Sequence, residues 1–191
     1  MRSVASAAQL RELLLTPDEA AAIEVPGKTP ASVLVPLYLD SGELHAVFTR
    51  RRAELSRHAG EISFPGDHRD EEDATLEAAA LREAEEEIGL PPAEVELAGA
   101  LPPIPTFVTG YRIHPFIGVI RAGHAWTPQP QEVDAVLELS LPALVRGHRE
   151  QRLLRKGVPF KTPTYTVGEH FVWGATARIV QTLLERIGRL L

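Results

Sequence analysis

A chain of 191 residues, 44% apolar and 24% charged, has enough material for one well-packed domain, and no stretch is biased enough for disorder. A net charge of −6 argues against nucleic acid or an anionic membrane surface as a partner, and the lack of cysteine excludes disulfides, zinc–thiolate sites and thiol nucleophiles. Charges at Arg11, Glu12, Asp18 and Glu19 interrupt any signal-peptide core, and no stretch approaches the ~20 apolar residues of a membrane span, so a cytoplasmic protein is the expectation.

The elements follow in chain order. Residues 7–15 read as a short helix, and "TPDEAAAIE" as a second, with Thr16 as N-cap and Pro17 at the first helical position. "VPGKTP" breaks the pattern. "ASVLVPLYL" and "ELHAVFTR" then read as two strands of a hairpin turning at Asp40-Ser41-Gly42, followed by the apolar run "ISF" and the turn "PGD". The strongest helix is predicted over 73–88, with Asp73 as N-cap, Leu76, Ala80, Ala84 and Ile88 as its apolar stripe, and Gly89 as a left-handed C-cap. Strands are expected at "EVELAGAL", "YRIHPFIGVI" and "EVDAVLELS", a helix from about Leu141 to Val145, a hairpin over "FKTPTYTVGEHFVW", and a closing amphipathic helix from Gly174. Hairpins mixed with interposed helices predict an α/β fold with a mixed sheet between helices. Phe171 and Trp173, beside the last helix, read as core.

One stretch of the long helix is costly. "LREAEEEIGL" crowds Glu83, Glu85, Glu86 and Glu87 into its last turns, where like charges repel and face the negative end of the helix dipole. At about 100° per residue Glu83, Glu86 and Glu87 share an arc at the edge of the apolar stripe, and Glu85 lies outside it. Three carboxylates there are poor neighbours alone and good hard-oxygen ligands for Mg²⁺ or Mn²⁺. A plainly solvated acidic face is the alternative reading.

The run Arg82-Glu83-Ala84-Glu85-Glu86-Glu87-Ile88-Gly89-Leu90 resembles the second half of the Nudix box, R-E-U-x-E-E-x-G-U. In the first half, a strict count places Ala74 and His68 where the family has glutamate and glycine. One inserted residue restores the acid as Asp73 and brings Asp67 to the glycine position. The resemblance implies a Nudix-type α/β/α sandwich with a mixed β-sheet over residues 1–191, with 1–28 a helical extension and 66–90 the box loop and helix. It implies hydrolysis of a nucleoside diphosphate linked to another moiety, with metal on Glu83, Glu86 and Glu87 and Arg82 orienting a glutamate through an ion pair. The general base comes from the box or from a later loop. Glu132, in "PQPQEVDAV", is the first distal candidate and Glu169 the second, and Glu132 reads equally as an exposed loop carboxylate.

Residues 47–67, "VFTRRRAELSRHAGEISFPGD", resemble the motif of the coenzyme A pyrophosphatase branch. Thr49, Arg51, Gly60, Phe64, Pro65 and Gly66 match, whereas Arg52, Ser56 and Asp67 depart and Arg57 stands one place beyond the expected arginine. The resemblance implies cleavage of coenzyme A, or a derivative, to adenosine 3′,5′-bisphosphate and 4′-phosphopantetheine, with a homodimer as a family-level expectation. Arg50, Arg51 and Arg57, with the Gly66 loop, would then meet the anionic substrate. Two other readings stay open: a Nudix enzyme for ADP-ribose, dinucleotides or nucleoside triphosphates, and a non-catalytic nucleotide-binding module. The seven histidines show no paired metal-ligand spacing and read as structural, with His58 kept as a substrate contact.

Overall fold

The structure, a computed structural model, describes residues 7–53, 60–106, 110–155 and 157–191. Two short helices come first, α1 (Ala7–Arg11) and α2 (Pro17–Ala21). The helix predicted over 7–15 stops at Arg11 because Leu15 is drawn into the sheet: it exchanges backbone hydrogen bonds of 3.1 and 2.8 Å with Ala100. Thr16 caps α2 as expected and adds a capping box, Thr16 and Glu19 each bonding the other's backbone N–H.

The hairpin forms as expected from β1 (Thr29–Asp40) and β2 (Glu43–Arg51), with Ser41 and Gly42 both at positive φ. Their pairing runs only from Leu37↔Ala46 to Asp40↔Glu43, and beyond it the strands part. The gap is filled by residues 62–67. Within them β3 (Ile62–Ser63) pairs with Arg50 and Thr49 of β2, while Pro65 and Asp67 offer carbonyls to the Leu34 and Ser32 N–H groups of β1, each at 2.9 Å.

Helix α3 spans Leu76–Ile88. Its N-cap is Thr75, whose side chain accepts from Ala78 N, and not the Asp73 predicted from sequence. Asp73 is instead turned inward and taken by Arg82. After α3 come β4 (Glu96–Ala100), a two-residue β5 (Ile104–Pro105), β6 (Tyr111–Val119) and β7 (Val133–Ser140). β1 and β6 are parallel and the other pairs antiparallel, giving a seven-stranded mixed sheet.

α4 (Leu141–Gly147) leads into a second, three-stranded sheet of β8 (His148–Arg155), β9 (Val158–Val167) and β10 (His170–Val172), and α5 (Gly174–Ile187) follows. The sequence pattern gave the β9–β10 hairpin but not β8, because "HREQRLLR" carries charge at half its positions and lacks the alternation of a half-buried strand.

Alternate side chains of β1 feed two cores. Val33, Val35 and Leu37 join α4, α5 and the second sheet on one face, whereas Leu34 and Tyr38 meet Ala80, Ala84 and Ile88 of α3 on the other. α3 is thereby fixed across the sheet, its glutamate edge beside the 62–67 insertion. Among the described residues no helix is long and apolar enough to cross a membrane.

Candidate active site

The C-terminal end of α3 is where the sequence crowded its acids, and the structure offsets the cost there with donors. Gly89 is left-handed (φ 71°), its N–H reaching Glu85 O in an αL closure, and that of Leu90 reaches Ala84 O. The loop between β6 and β7 supplies more: Gln129 N donates to Glu87 O at 2.8 Å, Thr127 N to Ile88 O at 3.0 Å, and His124 Nε2 to Gly89 O at 3.1 Å. Helix carbonyls left open at a C-terminus thus find partners. The same loop delivers Glu132, whose N–H is held by Gln129 Oε1 at 2.9 Å.

Arg82 organises the acids. Its Nε and NH2 grip the buried Asp73 carboxylate at 3.0 and 2.9 Å, and its NH1 donates to Glu83 at 2.7 Å and to the exposed Glu86 at 3.2 Å. This fork lowers the Asp73 pKa and raises that of Arg82. The position restored by allowing one inserted residue is therefore the one that receives the arginine. Asp73 in turn caps the Asp70 N–H, and Arg69 ties the turn by donating to the carbonyls of Asp73 and Ala74.

Glu87 is 6% exposed and takes a hydrogen bond from the Gly66 N–H. Burial, with Glu83 and Glu132 nearby, pushes its carboxyl up to about 8, against the pull of Gly66 and Arg51. Glu83 is also raised, by burial, though Arg82 opposes this. Gly66 can stand where it does only as glycine. Its φ is +145°, and a Cβ would lie 2.2 Å from the Ser32 carbonyl oxygen. Asp67 needs no glycine, since Ser41 is the only non-glycine at positive φ among the described residues. Its carboxylate caps the His68 N–H at 2.8 Å.

Arg51 lies close enough to Glu87 to lower its pKa, and its NH2 stands 4.0 Å from Glu132. Its buried Nε has no hydrogen-bond partner among the described residues. Arg50, the next residue back, points elsewhere and pairs with Asp134 through Nε at 2.9 Å and NH2 at 2.8 Å. Glu169 stands apart from the glutamates, on the turn between β9 and β10. Arg57 and His58 lie outside the described residues. Sequence reasoning missed Gln129 and Asp134. The pairing of Asp134 follows from a register shift opposite Arg50 and Arg51, which no residue pattern announces.

The donor set fits a hard divalent cation. It is all oxygen, and the perturbed Glu87 beside Glu83 marks a site short of positive charge. Among the described residues no three such side chains are already gathered around one point, because NH1 of Arg82 stands between Glu83 and Glu86. For all three to face one cation, Glu83 and Glu86 must release NH1, and Arg82 can do so while Asp73 still holds its other two nitrogens.

Residues 28–155 match the NUDIX domain, and the chain belongs to the Nudix family of pyrophosphohydrolases. It is 39% identical over 160 residues to a protein of Shigella boydii serotype 4 called "Uncharacterized Nudix hydrolase NudL", covering 83% of this chain and 82% of that one. A protein of the same name from Escherichia coli O1:K1 is 38% identical over the same shares. Among solved structures, a MutT/nudix family protein from Enterococcus faecalis superposes with a TM-score of 0.57 at 13% identity, covering 98% of this chain and 76% of that one. The NUDIX domain of Shewanella oneidensis NrtR, solved with ADP ribose, gives 0.55 at 15% identity, covering 91% and 99%. At such identities the likeness is one of fold.

Proposed function

We propose that this chain hydrolyses the pyrophosphate of coenzyme A or a derivative, with Mg²⁺ or Mn²⁺, to adenosine 3′,5′-bisphosphate and 4′-phosphopantetheine or its acyl form. The observation that carries the reading is Arg51. It belongs to the stretch resembling the coenzyme A motif, it sits beside Glu87 and Glu132, and its buried Nε has no partner among the described residues. A phosphate oxygen answers that vacancy.

Water attacks one phosphorus of the pyrophosphate, the bond from that phosphorus to the bridging oxygen breaks, and the other phosphate leaves with the oxygen. Glu83, Glu86 and Glu87 would hold the cation, which would neutralise the phosphates and lower the pKa of the attacking water. Glu132 accepts the proton of that water, and Arg51 donates to the phosphate oxygens as charge redistributes. Asp73 keeps two nitrogens of Arg82 and so fixes the guanidinium beside Glu83 and Glu86, while the Gly66 N–H orients Glu87.

The test is mass spectrometry of products after incubation with Mg²⁺ and a panel of coenzyme A, ADP-ribose, dinucleotides and nucleoside triphosphates. Adenosine 3′,5′-bisphosphate is expected well ahead of every other product, with kcat/KM on coenzyme A lowered on the order of 100-fold by Arg51→Ala. Faster turnover of another substrate overturns the coenzyme A reading and leaves the glutamate chemistry standing. Silence across the panel with Mg²⁺ and Mn²⁺ overturns catalysis itself.

A further inference from the structure

A cavity of about 500 Å³ lies on the face of β2 turned away from the glutamates, lined by Arg50, Ile62, Glu169, His170, Phe171 and Trp173. Phe171 was expected in the core and is instead 39% exposed, and Trp173 beside it is half-buried. An aromatic ring as exposed as that of Phe171 costs stability unless something covers it. The two sites share a strand. Arg50 and Arg51 are consecutive on β2, and consecutive strand residues face opposite sides. Arg51 meets Glu87 and Glu132, whereas Arg50 lines the cavity. Gly60, bonded through its N–H to Arg51 O at 3.1 Å, borders the cavity at the point where the strand ends.

The charge of the wall excludes the phosphates. Arg50 already carries Asp134 on two of its nitrogens, and Glu169 adds a carboxylate. A second phosphate placed there would meet a neutralised guanidinium and an anion. Amide N–H groups and an uncharged chain suit the same wall: carboxylate and imidazole offer hydrogen bonds at the rim, and Phe171, Trp173 and Ile62 offer apolar area.

We infer that this cavity binds the neutral, amide-bearing arm of the substrate, the pantetheine portion, while the pyrophosphate lies at Arg51 and Glu87. The inference rests on the coenzyme A reading above for the identity of the arm. The substrate bends around the end of β2, its charged half on the glutamate side and its uncharged half against Phe171. Binding at the cavity is uniform between ground and transition states, so it governs KM and leaves kcat alone.

The experiment pairs Phe171→Ala with two readouts, and Phe171→Tyr serves as the conservative rescue. Steady-state kinetics on coenzyme A with Mg²⁺ should show KM raised about tenfold in Phe171→Ala, equivalent to about 1.4 kcal/mol, with kcat within about twofold and KM restored by Phe171→Tyr. Free pantetheine, titrated into the wild-type protein and followed by NMR, should shift the Phe171, Trp173 and His170 signals, and should leave those of Trp173 and His170 in place in Phe171→Ala. Unchanged KM in Phe171→Ala together with no pantetheine shift in the wild-type protein overturns the inference while coenzyme A turnover keeps the functional reading. Shifts of the same signals by adenosine instead of pantetheine also overturn it, since the base would then occupy the cavity. Failure of coenzyme A turnover with pantetheine still binding at Phe171 overturns the functional reading alone.

Discussion

A methyl group at Gly66 would press on main chain, 2.2 Å from the Ser32 carbonyl oxygen and 2.6 Å from Val33 Cα, so no rotamer change relieves it. Gly66→Ala is expected to cost roughly 2–4 kcal/mol of stability in thermal melts, and to lower turnover more than tenfold by withdrawing the N–H that orients Glu87. Glu87 also makes a pH-dependent contribution whose sign is fixed. Its folded pKa, about 8, lies above the ordinary 4.5. The stability it contributes is therefore fully present below about 4.5 and is lost as pH rises through 8. In metal-free buffer Glu87→Gln should show a smaller loss of unfolding free energy between pH 5 and 8.5 than the wild-type protein, by on the order of 1–3 kcal/mol in denaturant melts, while losing Mg²⁺-dependent turnover. Equal slopes for the two proteins would count against burial as the cause. At this scale the helical arithmetic found the shared edge of Glu83, Glu86 and Glu87, because it needs only 100° per residue. It is silent on the reach of Arg82 to Asp73, since a long flexible side chain turns back in a way that no periodicity encodes.

The box helix is finished by an element distant in sequence. The loop that caps α3 through Thr127 and Gln129 is itself braced by Trp126, whose Nε1 donates to Glu138 of β7, while Tyr38 of β1 donates to the same carboxylate at 2.5 Å. Glu138→Ala removes both anchors at once. It should cost roughly 1–3 kcal/mol in denaturant melts and lower kcat several-fold through Glu132, with KM little changed. A lowered kcat with Glu132→Gln as background would show that the effect travels by another route. Legibility differed from element to element. α3 could be read because stripe, N-terminal cap chemistry and Gly89 agree, and its start was misplaced by three residues because two capping-type residues, Asp73 and Thr75, compete for the role. Thr75 took the cap once Asp73 was claimed by Arg82, a tertiary demand invisible locally. β3 and β5 are two residues each, too short for any period to register.

Across the whole molecule the sheet serves as a partition, with a separate core on each face and chemistry gathered at one end of β2. The mixed character of the sheet was readable from the alternation of hairpins and helices, whereas the parallel pairing of β1 with β6 was not, because it joins segments some eighty residues apart (Thr29↔Tyr111). That pairing bears on synthesis. The Gly66 loop needs β1 as its wall at Ser32 and Leu34, and this half of β1 has no pairing with β2; its other neighbour is β6. A nascent chain that has just emitted the last glutamate of α3 therefore carries the whole of the box motif without the strand that steadies its loop. The wall of the box loop is therefore complete only once β6 has been made, after every residue of the motif itself.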